Sequence, residues 1–489
     1  MDTRDIKVAV QQAPIHGYPQ QFPFHPPEVF PEYQGKDTAP GNPVYGGIRE
    51  ILYHLGLDRE KFGTAKWNPF GSFIKPGMTV FIKPNTVAHN HPKGKDLFSV
   101  ITHASVLRPI LDYACLALQD RGTIIVADCP LYSSNFDKAF ERSCIAPLLR
   151  WYASKTPVKI EWFDLRINKG RRTWLYGRWA RSKIMQDPRG YRFVDLGKNS
   201  RFTGVDPSRL RIAVAGYTEM RKHHTDATHE YLFPQSLLDS DVVISLPKLK
   251  THRRTGVTLC LKNYMGIPSM KDCLPHFMTG APVEGGDQYI HKSNLKRICT
   301  RLHDIIQTSP HMPIKFVCAV LKKLLWNSGR LLIFKDSVSE AMWPGNDTLW
   351  RTLGDINEII TYADKKGVIT PKPQRPQLFL VDGIVGGEGN GPLAPDPVYC
   401  GTLIGGFNPV ATDIVAASLM GFDYTKIPLI NKLISSGATG RSLFETPVND
   451  IVIVDQGSET RLEQFRKTRN LHFAPHPAWK GAIEYGQTR

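Results

Sequence analysis

From about residue 76 onward, short apolar runs bounded by turn residues alternate with stretches of helical period. Pro76-Gly77 turns the chain into Met78–Lys83, a strand pattern ending at Lys83-Pro84-Asn85. Residues 104–119 then place Val106, Ile110 and Tyr113 on one helical face, and Gly122 precedes the buried-strand run Thr123–Asp128. Strand, helix and strand in this order predict two parallel strands joined by a right-handed crossover. A helix over Phe136–Arg150 and a strand over Val158–Phe163 continue the plan. Later come a strand over Asp239–Leu246, a helix over 294–306, and a strand over Pro376–Asp382 followed by a glycine-rich loop. A helix over Pro409–Met420 and a strand over Ile451–Val454 complete it. Before residue 76 the pattern is sparser: a strand over Ile6–Val10, a proline- and aromatic-rich stretch, and a helix over Gly47–Leu57.

This alternation predicts an α/β fold: a largely parallel sheet with flanking helices, plus an N-terminal extension and insertions. The expected organisation is an extension over 1–75, a core over 76–430 with insertions near 165–215 and 308–370, and a C-terminal segment over 431–489 that packs on the core.

Composition narrows the class. The chain of 489 residues is 41% hydrophobic and 10% aromatic, enough to bury a core and to exclude a disordered chain. No apolar run reaches the roughly 20 residues of a membrane span, and the start Met1-Asp-Thr-Arg has no apolar signal region. A cytoplasmic location is the expectation. None of the eight cysteines forms a Cys-x-x-Cys pair, so packed, reduced thiols are expected and an iron–sulfur cluster is not. The net charge of +17 favours anionic partners without choosing among them. The segment 310–335 adds a basic amphipathic helix that either packs on the core or lies on an anionic membrane surface.

In open α/β sheets ligands sit beyond the carboxyl ends of the strands, and four predicted strands end in polar clusters. Lys83 and Asn85 follow the first, with His103 at the mouth of the next helix, and Asp128 ends the second. Lys248, Lys250, Thr251 and His252 follow the third, with Thr258, Lys262 and Asn263 close behind. Asp382 ends the fourth, followed by Glu388, and Asp413 stands at the start of a helix. Lysines suit phosphate or carboxylate as compact cations. Asn85, Thr251, Thr258 and Asn263 are candidate orienting groups, and His103 and His252 candidate proton carriers. Asp382, Glu388 and Asp413 suit a hard divalent cation such as Mg2+. The alternative role for the acids is capping of turns and helices.

These residues also carry a resemblance. Lys83-Pro-Asn85, Thr102-His103, Pro247-Lys-Leu-Lys-Thr-His252, Thr258, Lys262-Asn263, Gly266, Val381-Asp-Gly, Glu388-Gly-x-Gly-Pro392 and Asn408-Pro-Val-Ala-x-Asp413 resemble the family numbered 362 among the domains of unknown function, over roughly residues 76–430. The resemblance implies one shared pocket for the motif residues. Several members of that family carry a ferredoxin-like four-cysteine module, which this chain lacks. The leading expectation is a protein that binds, and transforms, a small phosphorylated or carboxylated ligand, with a divalent metal as an optional component. Nucleic-acid binding through the basic surface, a membrane-surface accessory role through 310–335, and a redox role related to the iron–sulfur members are the alternatives.

Overall fold

Val80, Ile82, Ile124 and Val126 pack in one apolar cluster, and Phe81, Ile125 and Ala127 in another, as the two-residue period of a strand requires. The two clusters are the two faces of one mixed sheet in the computed structural model, which describes residues 6–172, 179–212, 217–332, 334, 336, 338–435 and 441–486. Its strands are β1 (Val8–Gln12), β2 (Thr79–Pro84), β3 (Thr123–Asp128), β4 (Lys159–Asp164), β5 (Val242–Leu246), β6 (Lys248–His252), β7 (Gly256–Val257), β8 (Gln377–Glu388), β9 (Asp396–Gly406), β10 (Val452–Asp455) and β11 (Ser458–Arg461). They run in the order β11-β10-β1-β9-β8-β5-β2-β3-β4, with β6 paired to β8 and β7 to β6.

The sheet has two characters. From β8 through β5, β2 and β3 to β4 every pairing is parallel. Beyond β8, β9 is antiparallel to both β8 and β1, and β1 is parallel to β10. The strands from the N-terminal stretch and from the C-terminal stretch therefore lie in the same sheet as the central region.

The helices include α1 (Pro43–His54), α2 (Ala104–Leu118), α3 (Leu259–Asn263), α4 (Asn294–Thr308), α5 (Met312–Leu332), α6 (Leu349–Tyr362) and α7 (Pro409–Leu419). Asn42 caps α1, which starts four residues before the predicted Gly47 because Pro43 fits the first helical position. The helix predicted over Phe136–Arg150 is two helices, Phe136–Arg142 and Ile145–Ala153. Cys144 between them takes a left-handed φ of 60°, and the Ser143 carbonyl turns away to accept from Ala104 N at the start of α2.

The predicted glycine-rich loop after Asp382 is strand. β8 continues to Glu388 against β9. A Cβ at Gly383 would lie 2.7 Å from the Thr402 carbonyl oxygen, one at Gly386 would lie 2.6 Å from the Phe473 ring, and one at Gly387 would overlap the Ser99 carbonyl. These glycines let neighbouring chains approach closely. All eight cysteines are free thiols. Among the described residues no helix is long and apolar enough to cross a membrane.

Candidate functional site

β2, β3 and β5 deliver their polar residues to one end of the parallel half. Lys83 at the end of β2 meets Asp128 at the end of β3, Nζ to Oδ1 2.7 Å, with both side chains buried. Lys83 also donates to the Pro84 carbonyl at 2.6 Å and lies 3.5 Å from Asn263 Oδ1. Asp128 further accepts from Cys129 N and, through Oδ2, from both the amide and the hydroxyl of Thr86. Both members of the pair are thus satisfied within the protein, which a buried charge demands. Gly266 lies directly above them: a Cβ there would sit 2.6 Å from Asp128 Oδ1 and 2.8 Å from Lys83 Nζ.

Lys250 on β6 is different. It is 1% exposed, yet its ammonium donates only to neutral oxygens, Asn85 Oδ1 at 2.9 Å and the Val100 carbonyl at 2.6 Å. Two of its three donors are used. Asn85 then donates to Asn263 Oδ1 at 2.9 Å, and Asn263 donates to Ser245 Oγ at 3.0 Å. Lysine can only donate, so this relay fixes the orientation of both amides. Burial, then the charges of Lys248 and Lys262, push the Lys250 ammonium well below the ordinary lysine range.

Beside this relay lies a cavity of about 420 Å3, lined by Lys83, Asn85, Asp128, Lys250, His252, Thr258, Lys262 and Asn263 and by Arg253, Arg254, Lys271 and His276. Arg254 is paired with Glu340 at 2.8 Å. Among the described residues, Lys250, Lys262, Lys271 and Arg253 have no salt-bridge partner, and Arg253 Nε is buried without an acceptor. Burial and the surrounding cations Lys271, Arg254, Lys83 and Arg253 push Lys262 down to about 7.

Thr258 shows how the local fold prepares a ligand contact. It precedes α3, where a threonine hydroxyl ordinarily caps the helix. Here Asp413 does the capping, accepting from Cys260 N at 2.7 Å and Leu261 N at 3.0 Å. The Thr258 hydroxyl is left buried at the cavity with no partner among the described residues. Asp413 is itself pushed up to about 7 by burial, against the effect of those two amides.

Two histidines on the cavity wall carry their protons on opposite ring nitrogens. His252 Nδ1 accepts from the amides of Arg254 and Thr255 at 3.1 and 3.2 Å, so its proton is on Nε2. His276 Nδ1 lies 2.7 Å from the Leu274 carbonyl, an acceptor, so its proton is on Nδ1 and Nε2 is a free base. Burial first, then neighbouring cations, hold both imidazoles well below the ordinary histidine range, and both are neutral.

The remaining sequence candidates lie elsewhere. Lys248 is fully buried in a closed cluster: it pairs with Asp382 at 3.0 Å, its neighbour across the β6–β8 ladder, and donates to Tyr18 Oη at 2.5 Å. The register slips between Lys248 and Lys250, so the two ammonium groups reach different environments. Tyr18 donates to Asp382 at 2.5 Å and stacks on His103, ring centroids 4.4 Å apart. His103 caps α2 through Nδ1, gives its backbone N–H to Asp382 at 3.2 Å, and is pushed down to about 3 by burial and by Lys248. Thr251 donates to the Gly389 carbonyl at 3.0 Å, and Glu388 accepts from Ala474 N at 2.7 Å.

The three candidate metal ligands are therefore engaged separately: Asp382 with Lys248 and Tyr18, Glu388 with Ala474, Asp413 with α3. Among the described residues no group of three or more His, Cys, Asp or Glu side chains is placed to hold a metal ion. Arg253, Lys271 and His276 were not singled out from the sequence. Arg253 adjoins the motif ending in His252. Lys271 and His276 stand in an aperiodic segment whose course is set by β-pairing of Phe277 with Arg211.

The cavity's motif residues from β6 through α3 fall within a recognised region. Residues 201–418 match the family model described as Domain of unknown function (DUF362). No curated protein and no solved structure matches the chain. The DUF362 region contains Lys250, His252, Arg253, Thr258, Lys262, Lys271 and His276. Lys83, Asn85 and Asp128 reach the same cavity from outside it.

Proposed function

We propose that this protein binds a small phosphorylated or carboxylated molecule in the strand-end cavity and moves a proton on it. The observation that carries this reading is the charge imbalance of the wall. Lys250, Lys262, Lys271 and Arg253 face a cavity whose one lining carboxylate among the described residues, Asp128, is already consumed by Lys83 and Thr86. Holding that many cations together out of water is unfavourable unless an anion joins them. A ligand anion would take the third Lys250 donor, Lys262 and the Arg253 guanidinium, with the Thr258 hydroxyl as a neutral contact.

The two histidines supply the chemistry. The His276 Nε2 lone pair removes a proton from the bound molecule, and the His252 Nε2–H donates a hydrogen bond to an oxygen that gains charge. Asn85 and Asn263 hold Lys250 in place.

The test is mass spectrometry of small molecules released from the native protein, followed by calorimetric titration with inorganic phosphate, pyrophosphate and citrate. The reading expects an anionic compound with the wild type and its loss in Lys250→Met. Equal binding by the two proteins would sink it.

A further inference from the structure

The helical pair α4 and α5 presents an apolar face to solvent. On α5, Lys315, Cys318 and Gly329 are buried, and they fall on one side of the helix. Phe316, Val317, Val320, Leu321, Leu324 and Leu331 fall on the other side and are exposed, Leu324 at 59% and Leu331 at 78%. Ile298 and Ile305, two turns apart on α4, are exposed as well. A surface helix ordinarily turns its apolar side to the core and its polar side to water. α5 keeps a lysine inside and shows leucines outside, so this face is built for a nonaqueous neighbour.

The flanking charges choose that neighbour. Arg301, Lys323 and Arg330 are exposed on the pair, with Lys292 just before it. Between Asn294 and Leu332 the only acid is Asp304, and it is consumed by Arg211 at 3.0 Å. Exposed leucine, valine and phenylalanine bordered by cations, with no free carboxylate among these residues, match a bilayer interface of anionic headgroups over acyl chains. α5 is not apolar enough to cross a membrane, so it lies in the interface plane. We propose that α4 and α5 dock this protein on an anionic lipid surface. Later in the chain, Glu340 accepts from the cavity residue Arg254 at 2.8 Å through both its side chain and its carbonyl. The docking proposal stands independently of the chemistry assigned there.

The full-length protein is sedimented with vesicles of phosphatidylcholine alone and of phosphatidylcholine containing phosphatidylglycerol. Sedimentation velocity without lipid runs in parallel. The expected result is partitioning to the phosphatidylglycerol vesicles and little to the others. Val317→Glu with Leu324→Glu should abolish it, and Lys323→Glu with Arg330→Glu should weaken it on the order of tenfold or more. These positions are exposed, so both variants should keep the wild-type thermal melt. Absence of wild-type binding to the anionic vesicles overturns the proposal. So does unchanged partitioning of the Val317/Leu324 variant. A dimer that this variant dissociates, without vesicle binding by the wild type, assigns the face to a second copy and also overturns it.

Discussion

Lys248 and Lys250 stand two residues apart on one strand and live in opposite electrostatic worlds. Lys248 has a carboxylate, a phenol and a closed aromatic lid from the N-terminal stretch. Lys250 has two neutral oxygens and a cavity shared with other cations. The first is a finished ion pair that ties β6, β8 and the N-terminal stretch together. The second is an unfinished one, and an unfinished buried charge is where a ligand belongs. The same residue type in the same motif thus does structural work at one position and is available for binding at the other. The difference is which neighbour the slipped register brings opposite.

The largest effect that separates the two should come from Asp382→Ala. It leaves Lys248 buried beside a phenol alone, and urea unfolding should show a loss of about 3–5 kcal/mol. Lys250→Met should do the reverse. Stability should stay level or rise, because a buried ammonium without a carboxylate is replaced by an apolar chain of similar size. Anion affinity should fall roughly ten- to hundredfold with the loss of a charged donor.

Gly266→Ala acts on the Lys83–Asp128 pair. The added methyl overlaps both charged atoms, and the forced shift should cost about 1–3 kcal/mol in the same unfolding assay.

Much of this was legible in the sequence, for identifiable reasons. The βαβ plan from Thr79 to Asp128 followed from periodicity, because buried strands and an amphipathic helix write their period directly into the chain. The clustering of Lys83, Asn85, Lys250, His252, Thr258, Lys262 and Asn263 at one cavity followed from their common place after strands. What stayed hidden depended on long-range partners. Nothing near residue 248 announces that Tyr18 will cover it. The Asp413 side chain reads equally as a cation ligand or a helix cap until α3 is seen beside it. Gly383, Gly386 and Gly387 looked like a ligand loop because close packing of backbone and a flexible loop both call for glycine. His276 and Lys271 were missed because they reach the cavity from a segment with no period at all.

Lys262→Met sharpens the comparison through pH. The free Lys262 titrates near 7, and its charged form is the one that holds an anion. Wild-type affinity should therefore be highest below pH 7 and decline as pH rises through that value. Above it, binding should take up a proton, visible as a buffer-dependent heat in calorimetry. The variant should bind about tenfold more weakly at low pH and lose both the decline and the proton uptake. A decline retained in the variant would move the titrating group elsewhere in the wall.

The smallest effect should be that of Thr258→Val. Its hydroxyl has no partner within the described protein, so stability should hold or rise slightly. Anion affinity should fall severalfold, the worth of about 1 kcal/mol for one neutral hydrogen bond.

The central claim is that the Lys250 environment is completed by an anion and the Lys248 environment is already complete. One measurement addresses it directly: paired thermal melts of wild type and Lys250→Met, with and without saturating pyrophosphate or the compound released from the native protein. The account predicts a melting temperature of the wild type that rises with the anion and one of Lys250→Met that is at least as high without anion and unresponsive to it. Equal stabilisation of both proteins by the anion, or collapse of Lys250→Met in its absence, would contradict the account.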